Sequence, residues 1–188
     1  MEVKDYIIQC DNFLPESILN SLYDYCNYCQ FEDAKILGTD AHLVNPVVRK
    51  TQVRYLHKYR FDMSNAKWYN LLIQFFFKAV DAYQKTLKVD CQIFGFGDIQ
   101  ILKYVEGGHY TWHTDHHFNL PRTLSIIFYV NEDFEGGELS YKLGNNETIY
   151  TIKPKKNNLI IWPSNFVYPH KVSPVTKGTR FSVVSWII

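Results

Sequence analysis

No apolar run in this chain is long enough to cross a bilayer. The longest, LSIIFYV (124–130) and NLIIWP (158–163), fall far short of the roughly 20 residues a spanning helix needs. The first residues, MEVKDYIIQCDNF, carry charges where a secretion signal needs an apolar stretch, so neither a signal nor a membrane partner is expected. Cysteine is scarce, with only Cys10, Cys26, Cys29 and Cys91. Cys26 and Cys29 have CxxC spacing, but no second CxxC or nearby His pair completes a zinc site, and no strand precedes them as in thioredoxin-like motifs. Free thiols in a reducing, cytoplasmic compartment are the expectation. An excess of either charge is missing too. A net charge of +1 provides no overall basic field for nucleic acid or anionic lipid. Repeats, low-complexity tracts and Gly/Ser linkers are absent, so residues 1–188 are expected to form one domain.

What is present is aromatic. Phe, Trp and Tyr make up 16% of the chain, which suits β strands and an aromatic-walled pocket, or simply an aromatic core. Residues 1–93 read mainly as helical support. Pro15-Glu16 opens a segment to about Cys29, with Ile18, Leu19, Leu22, Tyr25 and Cys26 on one face. Ser64 is the expected N-cap of a second helix over 65–87, whose stripe is Trp68, Leu71, Leu72, Phe75, Phe76, Ala79, Val80 and Tyr83. Between them, one short strand is expected around QVRYLH. Residues 94–188 change period. FGDIQILKYV, HYTWHTD, RTLSIIFYVN, GGELSYKL, ETIYTI, NLIIWP, HKVSPV and TRFSVVSWII are short β-rich runs between turns, the pattern of a sandwich or jelly roll. The fold class is therefore α+β, mostly β, with N-terminal helices buttressing a β core.

The stretch WHTDHH (112–117) gathers three of the seven histidines. In an extended strand His113 and Asp115 share a face and Thr114 points away. An imidazole and a carboxylate on one face can grip a cation if a third ligand joins them, and His170 is the best candidate. Two His and one carboxylate on one side leave the other side open, as in non-haem Fe(II) oxygenases. On HxD alone a solvated strand end fits equally. Arg180 opens the last strand, with Ser182 on its face. A guanidinium beside a hydroxyl suits a carboxylate, and an interior Arg needs an anionic partner. A dicarboxylic keto acid would bridge the metal and Arg180; a salt bridge to one of the 19 acidic residues is the plainer alternative.

Taken together, the order Tyr104-VEGGHY-TW-His113-Thr-Asp115, RTLSIIFYVN, GGEL (136–139), IIWPS and PHKVSPVTKGTRFSVVSW resembles the Fe(II)/2-oxoglutarate-dependent dioxygenases of the prolyl 4-hydroxylase-like branch. More narrowly, it is similar to PKHD-type hydroxylases and the short oxygenases of bacteria and their phages. The resemblance covers Gln100 to Ile188 and is weaker over the first 90 residues. It implies a double-stranded β-helix (jelly roll), with iron ligands at His113, Asp115 and His170. It also implies that Arg180 binds the far carboxylate of 2-oxoglutarate, that Tyr104 meets the co-substrate near the metal, and that Tyr129 reaches its far end. Trp186 would wall the pocket and Ser182 would second Arg180. Tyr104, Tyr129 and Trp186 could equally be core aromatics.

The implied chemistry is hydroxylation of a C–H bond using Fe(II), 2-oxoglutarate and O2, with ascorbate as a stimulant. Asp115 favours hydroxylation, because related halogenases lack that ligand. The implied partner is a peptide or protein substrate, with proline first. The strip RKTQVRYLHKYR (49–60) keeps a nucleic-acid oxidative demethylase as an alternative, and a non-catalytic cupin-like binding module is another. Tyr110, His116 and His117 read as rim residues.

Overall fold

The computed structural model describes residues 2–36, 44–56, 62–119, 121–143 and 148–188, and of Thr148 and Ile149 only the backbone. A single 3-10 turn, Val3–Tyr6, leads into β1 (Ile8–Asp11) and helix α1 (Glu16–Tyr28). Strands β2 (Glu32–Asp33), β3 (Arg49–Lys50) and β4 (Gln52–Leu56) precede helix α2 (Met63–Leu87). Then follow β5 (Ile99–Tyr104), β6 (His109–His113), β7 (Leu124–Tyr129), β8 (Phe134–Gly136) and β9 (Leu139–Leu143). The chain ends with β10 (Thr148–Ile152), β11 (Asn158–Pro163), β12 (His170–Val172), β13 (Val175–Gly178) and β14 (Arg180–Ile187).

The expected eight β runs are all present, and two of them are split. Gly137, at φ +67°, separates β8 from β9, and Pro174 sits between β12 and β13. Three short strands had no sequence forecast. β1, β2 and β3 span two to four residues each, too short for a period-2 pattern to register. Together with β4 they extend both sheets, so the N-terminal segment also contributes edge strands.

The larger sheet runs β1-β11-β7-β14-β5-β4-β2 and the smaller one β10-β9-β12-β6-β3, with β13-β8 as a separate ribbon. The larger sheet is buried on both faces, which explains why β7 and β14 are buried throughout. One face packs against the helices. Leu19 and Leu22 of α1 and Trp68, Leu72, Phe76 and Val80 of α2 meet Ile101, Phe128, Phe181 and Val183. The repeat of three and four residues along each helix builds this stripe. The other face looks toward the smaller sheet, with Tyr104, Tyr129, Val184 and Trp186 packed among Leu139, Tyr141 and Val172. Alternation along β14 thus divides its side chains, Phe181 and Val183 toward the helices and Arg180, Ser182, Val184 and Trp186 toward the inter-sheet space.

The helix start differs from the expectation of Ser64. Asp62 is the N-cap of α2, and its carboxylate accepts from the Ser64 amide at 2.9 Å and the Asn65 amide at 3.2 Å. Ser64 lies in the first turn, where its amide needs a cap rather than supplying one. The same carboxylate pairs with Arg54. Asp62→Ala is expected to destabilise the chain by about 1 kcal/mol through the lost cap, read as a lower midpoint in urea with an unchanged slope.

Candidate metal centre

The register between strands assembles the site. β12 pairs with β6 so that His170 lies opposite His113, and β9 brings Tyr141 opposite His170. Asp115 lies just beyond the end of β6 rather than within a strand, yet its carboxylate still turns to the same side. Among the described residues, His113, Asp115 and His170 form one cluster whose ligand atoms all lie within 4.8 Å of one another. His113 Nε2 is 3.7 Å from Asp115 Oδ1, and His170 Nε2 is 3.4 Å from Asp115 Oδ2.

The hydrogen bonds around this cluster fix its ligand atoms. His113 Nδ1 donates to the Thr111 carbonyl at 2.8 Å, and His170 Nδ1 donates to the Tyr168 carbonyl at 3.1 Å. A carbonyl only accepts, so each Nδ1 carries a hydrogen and each Nε2 is the nitrogen turned toward Asp115 and left to meet a cation. The Ser125 hydroxyl donates to Asp115 Oδ2 at 2.6 Å and is itself 2.7 Å from the Ser164 hydroxyl. Arg122 donates to the Asp115 carbonyl at 3.3 Å and lies flat on the Trp186 ring at 3.6 Å. Tyr110 stacks on His113 with centroids 3.6 Å apart.

Burial works against the charge on Asp115, but the two imidazoles, the Ser125 hydrogen bond and Arg122 outweigh it and hold the carboxyl below its ordinary range. His113 is pulled down, first by burial and then by the neighbouring His170, against the attraction of Asp115. The outcome is an ionised carboxylate beside an uncharged imidazole. That is the protonation state a divalent cation requires of its ligands. The donor set therefore fits a metal, and its mixed N/O character suits non-haem iron among others.

A second feature shares the same inter-sheet space. Arg180 is completely buried, and its Nε, Nη1 and Nη2 have no hydrogen-bond partner among the described residues. The salt bridge to a protein carboxylate that the sequence left open is not found among them. The guanidinium lies 4.7 Å from the Tyr104 ring and 5.1 Å from the Tyr129 ring. Cross-strand pairing explains this grouping, since Arg180 faces Tyr104 and Ser182 faces Tyr129. The Tyr129 and Ser182 hydroxyls are buried and lack a partner of good geometry among the described residues, Tyr129 lying close enough to the guanidinium to feel its hydrogen-bonding as well as its charge. Burial raises the Tyr129 pKa, and the Arg180 charge offsets only part of that. A buried cation ringed by unpartnered hydroxyls is costly unless an anion meets it. A carboxylate fits that cradle.

Trp186 lines this space through its stack with Arg122. His109 has its ring nitrogens at the Gly107 and Val47 carbonyls, which only accept, so its N–H donates there; His116 donates to the Arg122 carbonyl, and His117 accepts from the Asn119 amide. None of these three joins the metal cluster. His42 and His57 lie outside the described residues.

Several supporting residues escaped the sequence reading. Ser125 and Ser164 look like ordinary strand-end residues until folding brings them to Asp115. Asn131 accepts from the Phe181 amide at 2.7 Å and donates to the Thr179 carbonyl at 2.8 Å, clamping the start of β14 around Arg180. Gly137 read only as part of a turn. A Cβ there would stand 2.9 Å from Arg180 Cδ, at a φ of +67°. Gly137→Ala is expected to cost about 1–2 kcal/mol of stability from the left-handed backbone and to weaken carboxylate binding at Arg180 without changing metal content. Calorimetry with 2-oxoglutarate and metal analysis of the same sample check both halves.

Residues 99–188 match the family model described as the 2OG-Fe(II) oxygenase superfamily. Human prolyl 3-hydroxylase 2 is 41% identical over 66 residues, which cover 35% of this chain and 9% of that protein. A PKHD-type hydroxylase of Synechococcus sp. (strain JA-2-3B'a(2-13)) is 33% identical over 97 residues, covering 47% of this chain and 42% of that protein. The chain thus matches less than half the length of these curated relatives. The fold is shared with a Pseudomonas putida prolyl-4-hydroxylase, at TM-score 0.74 and 21% identity over 97% of this chain and 92% of that one. It is also shared with a Trichoplax adhaerens prolyl hydroxylase solved with a hypoxia inducible factor peptide, at TM-score 0.76 and 17% identity over 97% and 83%. The double-stranded β-helix is therefore the architecture of this chain. Residues 99–188, which carry the His113, Asp115 and His170 cluster and the buried Arg180, are thus the part of the chain that matches the 2OG-Fe(II) oxygenase superfamily, with sequence similarity to PKHD-type hydroxylases.

Proposed function

We propose that this chain is a non-haem Fe(II)- and 2-oxoglutarate-dependent oxygenase that hydroxylates a C–H bond of a peptidyl residue, proline first. The observation that carries this reading is Arg180, a completely buried guanidinium whose nitrogens have no partner among the described residues, in the same inter-sheet space as the metal cluster. A metal site alone fits many functions. A metal site beside an enclosed cation awaiting a carboxylate suits a dicarboxylic keto acid, and a cupin-like binding module has no need of that cation.

His113, Asp115 and His170 would hold the iron from one side. Ser125 and Ser164 orient the Asp115 carboxylate, while the Thr111 and Tyr168 carbonyls fix the two imidazoles. Arg180, with Tyr129 and Ser182, would anchor the far carboxylate of 2-oxoglutarate, and Tyr104 would border it on the metal side. Trp186 holds Arg122 flat at the wall. Iron held there with 2-oxoglutarate would supply the oxidative chemistry for hydroxylating a C–H bond with O2, at the expense of 2-oxoglutarate becoming succinate and CO2. The buried walls keep water from that reaction.

A peptide substrate is supported by the relatives, whose names include prolyl hydroxylases. Arg54, a cation of the 49–60 strip, is tied to Asp62 and Asn65, which weakens the case for a continuous phosphate-binding face. Residues 57–61 of that strip lie outside the described residues. Among the described residues no helix is long and apolar enough to cross a membrane. One domain over 1–188, working in the cytoplasm, completes the proposal. The test is incubation of the Fe(II)-loaded chain with 2-oxoglutarate, 18O2 and pools of proline-containing peptides. Peptides that gain one labelled oxygen atom on proline support the reading. With methylated oligonucleotides offered in a parallel incubation, loss of their methyl groups as formaldehyde while the peptides stay unlabelled would replace it with the demethylase alternative.

A further inference from the structure

A cleft of about 360 Å3 opens where β3 ends the smaller sheet, and the oxygenase chemistry makes no use of it. Its floor is aliphatic. Val44, Pro46 and Val105 line it, and Val44 and Val105 remain 48% and 41% exposed. Its rim is cationic, with Arg49, Lys50 and Lys103 set against a single acid, Asp33. One rim residue links the cleft to the metal cluster through an aromatic ring. The Arg49 guanidinium lies 4.9 Å over Tyr110, and Tyr110 is the ring stacked on His113.

Among the described residues no ion pair involves Arg49, Lys50 or Lys103. Among the described residues Arg49 makes a long hydrogen bond, 3.4 Å to the Lys35 carbonyl, and its buried Nε has no partner. The Lys103 ammonium lies 5.5 Å over the Phe31 ring. Arg49 and Lys50 are also the two residues of β3, the last strand of the smaller sheet. A chain lying extended beside that strand would send alternate side chains to the floor and the rim.

We propose that this cleft docks an acidic segment of the peptide substrate, its carboxylates on the Arg49, Lys50 and Lys103 rim and its apolar side chains on the Val44, Pro46 and Val105 floor. Calling the docked peptide a substrate rests on the oxygenase reading; the docking itself does not. Charge complementarity selects the acid, and the floor selects a peptide over a polynucleotide. Single-stranded nucleic acid is held by stacking on aromatic rings, whereas this floor is built of aliphatic side chains.

The test is fluorescence anisotropy of the full chain with short labelled peptides of one sequence, a central proline flanked by Glu, Gln or Lys. The Glu peptide is expected to bind at least about tenfold more tightly than its Gln twin at low salt, with the gap narrowing as salt rises. Lys50→Glu with Lys103→Glu is expected to bring the two within about twofold, while 2-oxoglutarate binding stays as in the wild type. Equal binding of the Glu and Gln peptides overturns the proposal, as does a preference that survives charge reversal. A single-stranded DNA of matching charge that binds more tightly than the Glu peptide overturns it in favour of nucleic acid. Turnover separates the two readings. A Glu peptide that docks but never gains oxygen removes the oxygenase reading and leaves the cleft standing. Gln and Glu peptides that bind and react equally do the reverse.

Discussion

Arg180→Met makes the ligand-free protein more stable and nearly abolishes its binding of 2-oxoglutarate. The two effects share one cause. The guanidinium is completely buried, and among the described residues no carboxylate meets it and its nitrogens have no hydrogen-bond partner. Replacing an uncompensated buried charge with an apolar side chain of similar length is worth about 1–4 kcal/mol. For a chain of this size each kcal/mol corresponds to about 2–4 °C in the midpoint of thermal unfolding. The rise is to be measured by calorimetry in buffer free of carboxylates and phosphate. Binding moves the opposite way. Charge-assisted hydrogen bonds to a carboxylate contribute about 1.5–3 kcal/mol each, so losing a two-pronged contact raises the dissociation constant of 2-oxoglutarate by at least about 100-fold. A structural Arg would behave differently, since its removal would lower stability.

The second large effect is at the metal. His113→Ala removes one of three donors, and Fe(II) affinity and turnover are both expected to fall below detection. Ser125→Ala provides a graded companion. It leaves all three ligands and removes only the 2.6 Å hydrogen bond to Asp115, and loss of such a supporting contact typically costs about 10–100-fold in metal affinity. Metal analysis after dialysis, with circular dichroism as the control for folding, reads the series. His113 and Ser125 variants that retain wild-type metal content would place the cation elsewhere.

Much of this arrangement was legible because two periods carry it. The three- and four-residue spacing of Trp68, Leu72, Phe76 and Val80 marks α2, and alternation puts Arg180, Ser182 and Trp186 on one side of β14. What stayed illegible depends on contacts between distant segments. Nothing local to Ser125 or Ser164 says that they will meet beneath Asp115. Gly137 signals a turn, but its closeness to the Arg180 stem exists only after β8 and β14 are in place. Asp62 outcompeted Ser64 as the cap because a carboxylate at that position reaches two amides of the first turn and also favours the positive end of the helix. The strands β1, β2 and β3 owe their extended form to pairing with β11, β4 and β6, not to their own composition.

The most direct test is release of succinate from 2-oxoglutarate by the Fe(II)-loaded chain, in air and under argon, with the peptide pools present. The account predicts succinate in air, none under argon, and none from His113→Ala in either condition. Succinate that forms without oxygen, or no succinate from a chain that also fails to bind 2-oxoglutarate, would contradict it.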